Sequence, residues 1–222
     1  MSRKWFTAAL AACLLAPAAE AQLLTNGSFE TPNIIANNTY SLYTTGSTGI
    51  NGWTVLGLAG ESVQLTPDTY LGLQASQGRQ WMDLTGIVGY NKGMRSDVIA
   101  TTIGQRYRIA FDIGNLTYAS FGPATIGVRI NGGIEQLFTN GAPITGAFQM
   151  NWQSFFVDWT ADANALSLDF VGRANGSLSN DYGIGLDNVS VNQLSSPVPE
   201  PSTWALALTG LGALGFVRRR RS

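Results

Sequence analysis

The chain has 222 residues, of which 13 are basic and 14 acidic, with one cysteine and no histidine. Without histidine it cannot form a His-dependent catalytic triad, a His-ligated zinc site or an imidazole general base. Because there is a single cysteine, a disulfide within the chain is also excluded.

The first 21 residues have the pattern of a secretory signal peptide. Arg3 and Lys4 give a positive start, residues 5–15 are apolar, and Ala19-Glu20-Ala21 supplies a small-x-small cleavage site before Gln22. The run Leu10-Ala11-Ala12-Cys13 also fits a lipoprotein box, in which Cys13 would be acylated. We favour the signal peptide because the chain stays apolar beyond the cysteine.

Residues 22–196 are long enough for one domain with a substantial core. This part has seven basic and twelve acidic residues, a net charge of −5, and no cysteine. A nucleic-acid-binding domain needs the opposite charge balance, so that class is excluded.

The hydrophobic pattern of the domain has a period of two, which predicts half-buried strands. In residues 155–159, for example, Phe155, Val157 and Trp159 alternate with Phe156 and Asp158. Turn dipeptides such as Asn131-Gly132 separate the strands, and no amphipathic helix is evident. We therefore predict an all-β antiparallel sandwich with strands at residues 62–65, 80–84, 98–102, 105–114, 126–130, 155–159, 166–170 and 184–191.

Residues 33–52 do not show this alternation of apolar and polar side chains. The segment is rich in Asn, Thr, Ser and Gly and contains Tyr40 and Tyr43. We predict a long loop, which is either a binding loop or an ordinary surface excursion.

The C-terminus combines three elements: Val198-Pro199-Glu200-Pro201, an apolar helix at residues 202–217, and a basic tail at 218–222. Together they resemble the PEP-CTERM sorting signal of Gram-negative bacteria that make exopolysaccharide. As a helix, residues 202–217 span about 24 Å, slightly less than a hydrocarbon core of roughly 30 Å. The resemblance implies export, membrane anchoring by this helix, processing by an exosortase-type enzyme, and delivery to the cell surface or extracellular matrix. A plain anchor that is never cut is the alternative.

The domain itself resembles a known group of surface modules. The motifs are Asn26-Gly27-Ser28-Phe29-Glu30 at the start, residues 78–84 and 104–111 in the middle, and Asp187-Asn188-Val189 near the end. This order resembles the bacterial choice-of-anchor domains, the related plant cell-wall domain and, more distantly, carbohydrate-binding modules. It implies a galactose-binding-like jelly roll. Asp97 replaces a glutamine common in the family.

The same resemblance implies that the first and last strands are neighbours, which would bring Glu30 and Asp187 together. Related modules hold a structural calcium at this position, and carboxylate oxygens suit that cation. The resemblance therefore implies that Glu30 and Asp187 are ligands of a structural calcium ion. In the alternative, Glu30 accepts hydrogen bonds from a turn and Asp187 caps backbone donors.

Catalysis is not expected. A glycosidase needs only two carboxylates at a suitable separation, but most acidic residues here occupy outward strand positions or turns, where solvated charge is ordinary. We predict a non-catalytic protein, with a glycoside-active enzyme as the less favoured reading.

Carbohydrate binding pairs exposed aromatic rings with polar side chains. We predict Trp81, Tyr90 and Tyr118 as sugar-contacting rings, with Gln80 and Asp83 as polar partners. Trp81 is expected to face solvent because it alternates with Met82 and Leu84, whereas Trp53 and Trp152 match core aromatics of the family. The leading hypothesis is an exported module that binds exopolysaccharide. The competing hypothesis is a structural or adhesion protein with protein partners.

Overall fold

The computed structural model describes residues 22–86, 91–117, 123–141, 149–173 and 183–194. In these ranges the chain forms one short 3-10 turn, Ile35–Asn37, and strands throughout. The strands are β1 (Ser41–Thr44), β2 (Trp53–Leu56), β3 (Ser62–Pro67), β4 (Gln80–Asp83), β5 (Gly93–Ser96), β6 (Ile99–Ala100), β7 (Arg106–Thr117), β8 (Ala124–Ile130), β9 (Gln136–Asn140), β10 (Gln149–Thr160), β11 (Ala165–Leu166), β12 (Leu168–Arg173) and β13 (Ile184–Leu194).

Two antiparallel sheets pack face to face. The large sheet has six strands in the order β1-β3-β4-β13-β7-β10, and the small sheet has five in the order β2-β5-β12-β8-β9. Strands β6 and β11 form a separate short pair. The predicted class, an all-β antiparallel sandwich of the jelly-roll kind, is confirmed.

The core lies between the sheets and is built by alternation along each strand. On β7 the side chains of Ile109, Phe111 and Ile113 are buried against the small sheet. Phe111 meets Phe170 of β12 edge-on, with ring centroids 5.2 Å apart. The ring of Trp53 also contacts Phe170, with centroids 6.1 Å apart. Removal of this apolar surface from water is the main stabilising term, at roughly 25 cal/mol per Å².

Strands with clear alternation were predicted well. Those at 62–65, 80–84, 105–114, 126–130, 155–159 and 184–191 are confirmed, although the stretch at 166–170 is divided between β11 and β12. The prediction of one long loop at 33–52 is wrong in part, because Ser41–Thr44 forms β1 and pairs with β3. Three further short strands were not predicted: β2, β5 and β9.

Part of the sequence prediction lies outside the described residues, including the apolar segment at 202–217. Within the described ranges, no helix has the length and apolar character needed to cross a membrane.

The start of the domain lies along its last strand, as the resemblance implied. The Leu23 N–H donates to the Val191 carbonyl at 3.1 Å, and the Val189 N–H donates to the Gly27 carbonyl at 2.9 Å. The buried side chain of Gln80 then fastens the next few residues. Its Nε2 donates to the carbonyls of Phe29 and Pro32, and its Oε1 accepts from the Ile34 N–H at 2.6 Å. One amide therefore satisfies three backbone groups of a segment without regular structure.

Replacing this amide should be costly. In Gln80→Ala, three backbone groups lose their partner in a buried site, and we expect a loss of about 2–4 kcal/mol in the free energy of unfolding. Urea unfolding followed by tryptophan fluorescence measures it. The matched control is Gln74→Ala at an exposed position, which should change stability by less than about 0.5 kcal/mol. Equal effects of the two substitutions would contradict the assignment.

Candidate functional site on the outer face of the large sheet

The segment between β3 and β4, residues 68–79, crosses the outer face of the large sheet, and we call it the strap. Two indoles hold it: Trp81 Nε1 donates to the Leu73 carbonyl at 3.1 Å and Trp152 Nε1 to the Gln74 carbonyl at 2.9 Å. The two rings meet edge-on at 6.0 Å. Trp152 lies over Gly114 and Gly185, where an added Cβ would be 2.8 Å from the indole. The glycines therefore let the ring lie close to the sheet.

The expectation that Trp81 faces solvent is wrong. Its side chain is only 1% exposed. Met82 and Leu84, which point to the other face of the sheet, are buried as well, so both faces are covered here. The reason is the strap, because Leu73 covers the outer side of β4 and packs with Leu116 against the indole. Trp81 as placed here cannot stack on a sugar.

Gln80 and Asp83, expected as polar partners of a sugar, are buried too. Gln80 is used by the first residues of the domain, as described above. Asp83 Oδ1 accepts from the backbone N–H and the hydroxyl of Thr85, and burial raises the pKa of Asp83 to about 6. Both side chains hold the fold together and do not reach the surface.

The remaining predicted residues divide into two groups. Trp53 is in the core as expected, and Trp152 is partly buried beneath the strap. Tyr90, Tyr118 and the sorting motif Pro199, Glu200 and Pro201 lie outside the described residues.

Beneath the strap, two carboxylates lie side by side. Asp112 of β7 and Asp187 of β13 are directly opposed in the ladder, and both are buried. Asp187 Oδ2 accepts from the Gln77 N–H at 2.8 Å, while Asp112 Oδ2 accepts from the Ser76 hydroxyl and from Asn188 Nδ2. The pair thus fastens the end of the strap to the centre of the sheet.

Glu30 holds the adjoining residues of the same segment. Its Oε1 accepts from the backbone N–H of Arg79 at 2.8 Å and of Gln80 at 2.9 Å. Glu30 and Asp187 therefore both bind the backbone of residues 77–80. They do so by accepting hydrogen bonds from N–H groups, as in the alternative to calcium binding given above. In the described ranges, no group of three or more acidic, histidine or cysteine side chains is placed to hold a metal. Glu30 and Asp187 accept hydrogen bonds from backbone N–H groups, and we call this arrangement the clamp.

Calcium between Glu30 and Asp187 stays a prediction, and metal removal tests it. Differential scanning calorimetry of the purified protein with and without EGTA should give the same Tm if hydrogen bonds alone form the clamp. Calcium bound only to the folded state would instead raise the Tm with its concentration. A chelator-sensitive Tm would therefore contradict the clamp and restore the metal site.

The clamp should make stability depend on pH. Burial raises the pKa of Asp187 from 3.8 to about 8, and the negative charge of Asp112 adds to this. Between these values the folded state holds a proton that the unfolded state has released. The contribution of Asp187 to the free energy of unfolding therefore falls as pH rises from about 4 to about 8 and is level outside that window.

We expect the Tm of the native sequence to fall on the order of 5 °C more than that of Asp187→Asn between about pH 5 and about pH 8. The amide has a similar shape but cannot ionise. Calorimetry in EGTA-containing buffers measures both proteins without interference from metal. Parallel declines would show that Asp187 is not the source of the pH dependence.

Beyond the strap, the outer face of the large sheet is open along β13, β7 and β10. Phe156 of β10 is 56% exposed on this face. Its ladder neighbours are Ala110 of β7 and Ser190 of β13, which are short side chains. The ring therefore stands above a shallow, flat floor and is accessible from above.

A charged cluster borders this ring. Asp158 accepts from Arg108 at 2.7 and 2.9 Å and from Arg106 at 3.3 Å. Arg108 also lies over the Phe156 ring, 4.2 Å from its centroid. The hydrogen bonds from Arg108 lower the pKa of Asp158, so the carboxylate is ionised at neutral pH. Two arginines share one carboxylate, which leaves one positive charge in excess beside an exposed aromatic ring.

This cluster was not predicted, although the sequence contains the signal for it. The alternation in residues 155–159 places Phe156 on the same phase as Asp158, opposite to Phe155, Val157 and Trp159. An aromatic residue on the polar phase of an amphipathic strand indicates an exposed ring.

The C-terminus of the chain is similar to a known sorting signal. Residues 197–221 match the family model of the PEP-CTERM protein-sorting motif. The predicted sorting signal is confirmed, and the chain is an exported protein sorted through its C-terminus. No curated protein sequence matches the chain.

Among solved structures, the fold is similar to several carbohydrate-binding modules. TmCBM61, solved with β-1,4-galactotriose, has 13% identity and a TM-score of 0.47, covering 78% of this chain and 99% of its own. The CBM22-1 xylan-binding domain of Paenibacillus barcinonensis Xyn10C has 17% identity and a TM-score of 0.42, covering 82% and 99%. A family 35 module from Clostridium thermocellum has 17% identity and a TM-score of 0.43, covering 70% and 98%.

Proposed function

We propose that the protein is a non-catalytic surface module that binds exopolysaccharide through the open part of the large sheet's outer face. The observation that carries this proposal is the exposed ring of Phe156 beside Arg108, Arg106 and Asp158. Export through the PEP-CTERM signal supports it, because the module is delivered to the compartment where such polymers accumulate.

The chemistry of the cluster suits a sugar chain. A pyranose ring presents an apolar C–H face that can lie on an aromatic ring, while its hydroxyl groups need donors and acceptors at the edge. Phe156 supplies the apolar surface, and the guanidinium groups and Asp158 supply the polar edge. Ala110 and Ser190 keep the floor low, so an extended chain can cross the strands without a steric barrier.

The charge of the cluster favours acidic polysaccharides. Guanidinium groups bind carboxylates in a bidentate manner, and two arginines are balanced here by one aspartate. We infer that chains with uronic acid units bind more strongly than neutral chains, and that the difference decreases as salt screens the charges.

A non-catalytic role is supported by the placement of the acidic residues. Asp112 and Asp187 are the closely opposed carboxylates on this face, but the strap covers them and its N–H and hydroxyl groups occupy their oxygens. Asp158 is held by two arginines. A polysaccharide lying on Phe156 therefore meets no pair of free carboxylates in the described part of the site.

We further propose that the membrane route follows the sorting signal. The apolar segment at 202–217 would hold the chain in the membrane of a Gram-negative bacterium until an exosortase-type enzyme cuts near Pro199-Glu200-Pro201. The domain would then remain at the cell surface or in the extracellular matrix.

Binding to polyuronate and to a neutral glucan, measured by affinity electrophoresis, tests the function. Phe156→Ala should weaken binding of both polymers by about tenfold, equivalent to about 1.4 kcal/mol. Arg108→Ala should weaken polyuronate binding more than glucan binding. The matched control is Leu137→Ala, which removes a side chain 64% exposed on β9 of the other sheet and should leave binding unchanged.

Two results would contradict this site. Unchanged affinity in Phe156→Ala would remove the ring from the binding surface. Loss of binding in Tyr118→Ala or Tyr90→Ala, together with normal binding by Phe156→Ala, would move the site to the residues first predicted from sequence.

A separate result would contradict the non-catalytic role. If the protein depolymerises either polymer, and replacing one carboxylate abolishes this activity, the protein is a glycosidase.

A further inference from the structure

Strand β10 is the last strand of the large sheet, and it is unusually long for an edge. Its twelve residues pair with β7 in one unbroken register. Exposed edges are normally protected by proline, lysine, bulges or shortness. The sequence of β10, QMNWQSFFVDWT, contains neither proline nor lysine, and its pairing has no bulge. The strand therefore carries few features that would prevent another strand from pairing with it.

The direction of the backbone groups can be read from β7. The Leu116 N–H donates to the Gly183 carbonyl, on the β13 side. Because successive residues of a strand direct their backbone groups to opposite sides, the groups of Ile113 and Phe111 point to β10. Their ladder partners Gln153 and Phe155 use their own groups toward β7. The backbone groups of Ser154, Phe156 and Asp158 consequently point away from the sheet.

The core-facing side of β10 is only partly covered. Phe155, Val157 and Trp159 point inward, yet each is half-buried, whereas the equivalent row on β7 is fully buried. Phe138 of β9 meets Phe155 at 5.8 Å, so the small sheet reaches this side but ends there. An apolar strip remains along the side of the sandwich.

We propose that β10 pairs antiparallel with β10 of a second copy of this chain, about a two-fold axis at Phe156. This register places Phe155 opposite Val157 of the partner subunit, so that the two apolar strips cover each other. On the outer face it places Ser154 opposite Asp158 of the partner subunit, where a hydroxyl can donate to a carboxylate. The two neighbouring registers, shifted by two residues, match the side chains less well. One places Phe156 opposite the charged Asp158 of the partner subunit. The other places Val157 opposite the polar Gln153 of the partner subunit.

The pairing makes one continuous outer face from two copies. It brings both Phe156 rings to the axis, with an arginine pair on each side, and so doubles the surface available to a long polymer. The dimer does not depend on polysaccharide binding, because it is formed by backbone groups and the apolar strip.

Cysteine cross-linking tests the register directly. The protein is expressed from the full-length sequence with Cys13→Ser, so that an introduced thiol is the only one. Oxidation should convert Phe156→Cys to a disulfide-linked dimer in the absence of polymer, because identical residues meet at the axis. The matched control Ser154→Cys faces Asp158 of the partner subunit and should not cross-link with itself. A mixture of Ser154→Cys with Asp158→Cys should cross-link.

Sedimentation equilibrium supplies a measurement that needs no thiol. The native sequence should dimerise in the micromolar range, and Ser154→Pro should shift it to monomer. Proline removes an N–H that points away from β7, so the ladder within the sheet stays intact and the Tm should change little. A monomeric native protein, or equal cross-linking of Phe156→Cys and Ser154→Cys, would overturn the proposal.

Discussion

The strap across the large sheet is the constraint on which the surface of this protein depends. Its carbonyls accept from two tryptophans, and its N–H and hydroxyl groups donate to Asp112 and Asp187. Once it is in place, the half of the sheet around β4 is closed on both faces and the carboxylate pair is sealed. Beyond the strap, the face stays open on β13, β7 and β10, where the ring of Phe156 is exposed.

Alternation along a strand predicts which side a residue faces, but not whether that side is covered. This distinction accounts for much of the success and the failure of the sequence reading. The long strands β7, β10 and β13 and the sandwich class followed from alternation. Trp81 was assigned correctly to the outer phase and wrongly to solvent, because its cover comes from residues 68–79, which form no strand. Phe156 obeys the same rule without a cover, and the rule applied there would have found it.

The strands that escaped prediction are short and depend on their neighbours. Strand β1 is Ser-Leu-Tyr-Thr, a sequence equally suited to a loop, and it is extended because β3 offers an edge. Strand β5 begins with glycine at a position where an added Cβ would meet the Phe170 carbonyl. Packing against another strand fixes both elements. Single-sequence patterns do not contain that information, and the polar residues Gln80 and Asp83 were misjudged for the same reason.

The place of β13 has a mechanical consequence. The strand lies in the interior of the large sheet, bonded to β4 on one side and to β7 on the other, and the chain leaves the described domain at its end. A pull on the C-terminus therefore acts along a central strand, where many ladder bonds share the load in shear. A terminal strand at the edge would instead peel away bond by bond. Under the function proposed above, this placement of β13 would help the module to resist drag from a bulky polymer bound elsewhere on its surface.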